Sequence, residues 1–327
     1  MKILSLLIVS LVLMTVWGNA QAGIWKTNTT SSSNGFNDYR IYIPSDLPKG
    51  HKPSLVVMLH GCDQNAEEFA KGSHIEALAE KEKFIALFPE QNILNNAMRC
   101  WNWYVPAYNS RYGESQSIIS MVDTIIEKYN IDSENVFAGG MSAGASMVSI
   151  LGNCYPERFK ALASNDGTQF YATSSGMDFI SVVMKGASNT PASAAKTGFE
   201  CSRSVENKPK QMPIIIFYGM NSPLMSPIHA TQIEDEMKDF NDYLDNGKKD
   251  NSNIKSKNVY AVAATKVSYG YKLYTTTNQD NQVFIERYMI DNLGHDWSGG
   301  VSGVKYNDSK GPDATALMIK FFKRFGL

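Results

Sequence analysis

The sequence predicts an α/β fold, a mostly parallel sheet with helices on both faces, in one domain. Apolar runs too continuous for a one-sided strand, such as "SLVVMLHG" (54–61) and "MPIIIFYG" (212–219), suit strands buried on both faces. Such runs alternate with helical stretches. That rhythm belongs to βα units. No internal repeat and no Pro-rich or Ser-rich linker divides the 327 residues, a length that supports one large core.

The N-terminus reads as an export signal. Lys2 precedes an apolar run from Ile3 to Trp17, and Ala20-Gln21-Ala22 gives the small-x-small pattern ahead of a cleavage site, so residues 1–22 are expected to be removed. A retained anchor is the alternative. The run is shorter than the roughly 20 residues that span a bilayer, and no later segment is apolar enough to span one. A secreted or periplasmic protein, off the membrane once its signal is cleaved, is therefore expected.

The elements follow in order. "DYRIYIP" (38–44) alternates as a strand, then come 54–61, a helical stretch around 65–82, "FIALFPE" (84–90), a helix over about 115–129, "NVFAGG" (135–140) and a helix opening at Ser142. "FKALASND" (159–166), 212–219 and "QVFIERYMI" (282–290) are further strands, and "DATALMIKFFKRF" (313–325) is an amphipathic closing helix. Residues 168–211, rich in Ser, Thr, Ala and Gly, read as an insertion, either a lid or a plain surface excursion. The polar stretch 245–258 reads as a solvated loop.

Composition excludes some functions. Lys plus Arg number 31 against 32 Asp plus Glu, with neither sign in long blocks, so no nucleic-acid footprint exists. Cys62, Cys100, Cys154 and Cys201 form an even set in an exported chain, which favours disulfides. The pairs Cys62–Cys100 and Cys154–Cys201 are expected, because each links neighbouring segments of this architecture. Zinc is the weaker reading, since paired C-x-x-C spacing is missing, and no cofactor or metal is expected.

"GGMSAGASM" (139–147) carries the chemistry. Ser142 sits between a predicted strand and a predicted helix in G-x-S-x-G, where Gly140 and Gly144 leave room for a strained turn that exposes the hydroxyl. The next N–H groups, beginning with Ala143, lie at a helix N-terminus that can receive negative charge. A serine hydroxyl needs a base. Among His51, His60, His74, His229 and His295, the last lies after the final strand in "DNLGHDWSGG", where a nucleophile-first chain order puts the histidine. His60 instead ends the strand that precedes a second oxyanion donor, read as the N–H of Cys62.

"LHGCDQN" (59–65), "CWNWY" (100–104), "GGMSAGASM", "GNCYPERF" (152–159) and "GHDWSGG" (294–300) together resemble the extracellular polyhydroxybutyrate depolymerase and feruloyl-esterase-like group of alpha/beta hydrolases. The resemblance runs in order from about residue 36 to the end. It implies an alpha/beta-hydrolase fold with an eight-stranded sheet, serine carboxylesterase activity, Ser142 and His295 as nucleophile and base, and Cys62 and Ala143 as oxyanion donors. It also supports the Cys62–Cys100 pair.

One position departs from the pattern. The family's acid follows the penultimate strand in a G-x-x-D turn, and here that turn reads "YGMNSPLMSP" (218–227) with Ser222 at the acid's position. Three readings stay open: Asp166, at the end of the preceding strand, orients His295; Asn221 does so without charge; or catalysis is lost. Asp296 is set aside, because an adjacent residue does not readily turn its carboxylate onto the neighbouring ring. Trp101, Trp103, Tyr104 and Trp297 are placed to line the substrate cleft, with core packing as the alternative.

The expected substrate is an ester, oligomer or polymer, of the short-chain hydroxyalkanoate type. Feruloyl or acetyl esters of carbohydrate, or mere binding by an impaired hydrolase fold, are the competing expectations.

Overall fold

The computed structural model describes residues 23–32, 35–50 and 52–327. The expected signal, residues 1–22, and His51 lie outside them.

Strands β1 (Ile24–Ser32) and β2 (Gly35–Ile43) open the chain as an antiparallel pair. β3 (Leu55–Leu59), α1 (Ala66–Ser73), α2 (Glu76–Glu82) and β4 (Ile85–Pro89) follow. The stretch predicted as one helix over 65–82 is therefore two, parted at His74, whose φ of 51° ends α1. Next come α3 (Glu114–Tyr129), β5 (Val136–Met141), α4 (Ala143–Cys154), β6 (Ala161–Asn165), α5 (Phe179–Lys185), α6 (Pro191–Cys201) and β7 (Ile214–Gly219). The chain continues through α7 (Ile228–Asn246), β8 (Ile254–Val262), β9 (Tyr271–Asn278) and β10 (Val283–Ile290). It closes with the short pair β11 (Trp297–Ser298) and β12 (Asn307–Asp308), then α8 (Ala314–Lys323).

The main sheet has the order β1-β2-β4-β3-β5-β6-β7-β10-β9-β8. From β4 to β10 the neighbours run parallel, and antiparallel strands extend both edges. The eight strands implied by the resemblance are thus ten. β8 accounts for part of the difference and for a correction to the predicted loop at 245–258, since the strand begins at Ile254. Only Ile254–Asn258 of the strand fall in that stretch, and these residues, polar but for Ile254 and almost all exposed, show neither the apolar run nor the alternation by which a strand is recognised.

Strand β3 shows why the central runs are continuous. Leu55, Val57 and Leu59 enter the core under α3 and α4, while Val56 and Met58 enter the opposite core with Phe69 of α1 and Phe322 of α8. Alternate side chains therefore meet apolar layers on both faces. Every residue of α4 is buried, which fixes the start of that helix against the sheet centre. The insertion at 168–211 supplies α5 and α6, and the Cys154–Cys201 bridge ties the end of α6 to the end of α4. Among the described residues no helix is long and apolar enough to cross a membrane.

Candidate active site

Ser142 occupies the turn between β5 and α4 with φ 55° and ψ −122°, a backbone state that L-residues rarely hold. Its N–H donates to the Asn165 carbonyl at 2.8 Å, so the neighbouring strand helps hold the strain. Gly144 makes the turn possible. A Cβ there would stand 2.1 Å from the Leu59 carbonyl oxygen, against β3 backbone that cannot yield. Gly144→Ala is therefore expected to displace Ser142 and lower kcat at least about 100-fold, as misplacement by about 1 Å does, measured by ester turnover with circular dichroism as folding control.

His295 arrives on the loop after β10. Hydrogen bonds from Met220 N–H to Ile290 O and from Asn221 N–H to Leu293 O, each 2.9 Å, bind that loop to the end of β7. Gly219 permits the approach, as its Cβ would lie 2.2 Å from the Gly294 carbonyl oxygen. The imidazole Nε2 then stands 2.8 Å from Ser142 Oγ.

Asp166 stands on the other side of the ring, with Oδ2 3.2 Å from His295 Nδ1. The approach lies off the straight hydrogen-bond direction, and neither atom has another partner among the described residues. Such contacts in unliganded sites tighten when substrate binds. Asp166 also holds a positive φ of 50° just beyond β6, where its N–H reaches Phe217 O and its Oδ1 accepts from Gly219 N–H at 3.0 Å. Burial pushes the carboxyl upward, while His295 and the Gly219 N–H pull it back.

Ser222 and Asn221 lie elsewhere. The Ser222 hydroxyl accepts from the Leu224 and Met225 N–H groups and so closes its own turn. Asn221 is exposed, on the outer wall beside His295. Asp296 keeps its carboxylate in that same outer region, while its backbone oxygen accepts from Asn165 Nδ2 at 3.0 Å.

The segment after β3 passes close by. A Cβ on Gly61 would be 3.3 Å from Ser142 Cβ, and Cys62 is bridged to Cys100. His60 sets the segment's orientation. Gln91 N–H donates to its Nε2 at 3.0 Å, leaving Nδ1 to donate to the Gly61 carbonyl at 2.7 Å. Because a trans peptide points its C=O and following N–H in opposite directions, holding the Gly61 oxygen aims the Cys62 N–H away from His60. Complete burial lowers the His60 pKa to about 4, so the ring stays neutral in this role. Neither the Cys62 nor the Ala143 N–H is engaged in a hydrogen bond among the described residues.

Ser142, Ala143, Cys62 and His295 open onto a cavity of about 270 Å³ with largely apolar walls, among them Trp103, Phe179, Val183 and Met225. Of the four aromatics expected at the cleft, only Trp103 lines it. Trp101 is buried and donates its indole N–H to His60 O at 3.1 Å, supporting the segment from behind. Tyr104 packs behind the wall, 4.8 Å from the Phe179 ring. Trp297 belongs to the core: it meets Phe69 edge-on at 5.2 Å, and its indole N–H donates to Thr315 Oγ1. Phe179 and Val183 come from α5 in the insertion, whose composition carried no sign of them. Among the described residues no group of three or more His, Cys, Asp or Glu side chains could hold a metal ion.

This arrangement has relatives. The family model described as "Esterase PHB depolymerase" matches residues 37–258, well over half of the chain. The chain belongs to that family. Poly(3-hydroxyalkanoate) depolymerase C of Paucimonas lemoignei is 26% identical over 295 residues, 89% of this chain and 66% of that protein. Feruloyl esterase B of Neurospora crassa is 31% identical over 187 residues, 57% of this chain and 58% of that protein. The chain thus covers less than two thirds of either relative's length. Among solved structures, an acetyl xylan esterase from Aspergillus awamori superposes with a TM-score of 0.67 at 21% identity, covering 92% of this chain and 99% of that one. At that identity the likeness speaks for the alpha/beta-hydrolase fold alone.

Proposed function

We propose that the chain is an exported serine carboxylesterase that works through an acyl-enzyme on short-chain hydroxyalkanoate-type esters. The observation that carries this reading is one imidazole linking Ser142 Oγ at 2.8 Å with Asp166 Oδ2 at 3.2 Å, at the wall of an apolar cavity. Ser142 Oγ attacks the ester carbonyl as its proton passes to His295 Nε2, and Asp166 stabilises the imidazolium. The Cys62 and Ala143 N–H groups receive the oxyanion. As the acyl C–O bond breaks, the imidazolium returns the proton to the leaving alcohol, and water then repeats the cycle to free the acid. Export is supported by the N-terminal signal pattern and two disulfides.

A fluorophosphonate probe tests the nucleophile. Wild type is expected to be labelled and to hydrolyse short-chain esters, and Ser142→Ala to lose both, with turnover falling by at least about 10⁴. A folded wild type that resists the probe would instead indicate a binding protein. Acyl esters of carbohydrate form a second reading, favoured by Asn221, Ser222, Asp296 and Tyr306 in the open hollow on the outer side of His295.

A further inference from the structure

A carboxylate that the reaction itself does not use stands behind the oxyanion segment. Glu114 opens α3 and, with Gln91, Trp101 and Asn102, lines a cavity of about 300 Å³ that shares no lining residue with the cavity of Ser142. It therefore reaches the reaction only through other groups. Three donors hold its oxygens: Oε2 accepts from the Asn102 backbone N–H at 2.7 Å, and Oε1 accepts from Gln91 Nε2 and Asn102 Nδ2, each at 2.5 Å. No cation pairs with it among the described residues, and burial pushes its pKa upward while the three donors pull it back. A buried carboxylate held without a cation is costly to the fold, which points to a role other than stability.

The held groups converge on Cys62 by two routes. Gln91 donates its backbone N–H to His60 Nε2, and His60 Nδ1 holds the Gly61 carbonyl that orients the Cys62 N–H. Gln91 Nε2 also donates to Cys100 O at 3.1 Å, and Cys100, two residues before Asn102, is bridged to Cys62. Glu114, Gln91, His60, Cys62 and Cys100 thus belong to one closed ring of hydrogen bonds and covalent links. In a closed ring, no member shifts without straining the others.

We propose that Glu114 is a positioning residue for the oxyanion site: its carboxylate clamps Gln91 and the segment 100–102, so that the Cys62 N–H stays aimed at the oxygen that becomes negative in the transition state. This inference rests on the esterase reading above. A fixed donor gains over a mobile one where charge develops, so the clamp acts on kcat and leaves the binding of uncharged substrate alone.

Glu114→Gln keeps the volume but sets an NH2 among donors, so at least one of the three hydrogen bonds is lost. Its kcat on a chromogenic short-chain ester is expected to fall about 10- to 100-fold, part of the roughly 10² to 10³ that loss of a whole oxyanion donor costs, with KM within about threefold. Two inhibitors of similar shape separate aim from packing. An alkyl trifluoromethyl ketone bonds its carbonyl carbon to Ser142 Oγ, the Ser142 proton passes to His295, and the oxyanion faces the Cys62 and Ala143 N–H groups. The corresponding trifluoromethyl alcohol only fills the cavity. In Glu114→Gln the ketone's Ki should rise by the factor lost from kcat/KM, while the alcohol's stays within about twofold. Gln91→Ala, which removes one donor and leaves the carboxylate, should show the same pattern at about threefold or more, and serves if Glu114→Gln does not fold. A folded variant of either kind with unchanged kcat and only a lower melting temperature, or one that weakens ketone and alcohol equally, overturns the positioning role. A wild type that turns over no ester, binds the ketone no tighter than the alcohol and leaves Ser142 unlabelled by fluorophosphonate overturns the esterase reading, and the inference with it.

Discussion

Asp166→Asn is expected to lower kcat by about 10³ to 10⁴ while leaving KM within a few-fold and the protein folded. Asp166 touches the imidazole and not the substrate, so its removal leaves ground-state binding in place. What changes is the ring. An amide cannot stabilise the imidazolium by charge, and if it turns its NH2 toward Nδ1 it selects the tautomer that leaves Nε2 protonated and useless as a base. Thermal stability should hold or rise slightly, because the substitution relieves a fully buried carboxyl that burial already pushes upward. Steady-state kinetics on a chromogenic short-chain ester, with thermal melts of both proteins, checks this. Near-full kcat in a folded Asp166→Asn would remove Asp166 from the triad and return attention to Asn221.

The sequence could propose Asp166 but could not place it beside His295. A motif at the end of one strand gives chain position, whereas the role depends on which strand ends lie within reach of the same ring. β6 and β7 pair in parallel, and Asp166 just past β6 is hydrogen-bonded to Gly219 at the end of β7 across the gap. An acid can therefore move one strand over and still meet His295. Ser142 and His295 were legible because a strand-turn-helix glycine pattern and chain order each encode geometry directly. Trp297 misled for the opposite reason. Lying two residues from His295 suggested the cleft, but its N–H bonds to Tyr306 O in the β11–β12 bridge and the indole turns under α8.

Other elements were readable yet absent from the predicted set. In α7, Ala230, Ile233, Met237, Phe240 and Leu244 recur at three-four spacing and are all buried, a helical stripe within a largely charged stretch. The cavity wall from α5 was not readable. Phe179 and Val183 gain their place only through tertiary contact with Trp103 and with the turn after β7, where Ser226 N–H donates to Val183 O. No local pattern announces a side chain that meets its partners across loops.

The same helix α7 carries the second large effect. Glu234 and Glu236 are both buried, but Glu234 is paired with Arg287 and Lys238 at 2.5 Å each, and those cations hold its carboxyl below the usual range against the upward push of burial. Glu236 has no cation paired with it among the described residues. Neither of its carboxyl oxygens has a hydrogen-bond partner among the described residues, and burial first, then Asp239, pushes its pKa from 4.5 to about 8. Its polar neighbour is Asn153 of α4, which opposes the rise; the Asn153 NH2 donates to Ser149 O and its amide oxygen has no hydrogen-bond partner among the described residues, so a protonated Glu236 carboxyl can donate to it.

The folded state therefore keeps a proton that the unfolded chain releases above about pH 4.5. With more protons bound in the folded state, stability falls as pH rises through the window from about 4.5 to 8, and the loss is complete above it. At about 1.4 kcal/mol per pKa unit the shift corresponds to at most about 5 kcal/mol. Glu236→Gln keeps the volume, offers Asn153 a donor at every pH and abolishes the titration. The variant is expected to melt close to wild type at pH 4.5 and roughly 5–10 °C above it at pH 8 to 9. Asp166, also raised by burial, is present in both proteins and cancels from the difference. Melting curves taken from pH 4.5 to 9 decide the matter, since a gap that stays constant with pH would mean that Glu236 does not carry the proton and that any gain from glutamine comes from packing alone.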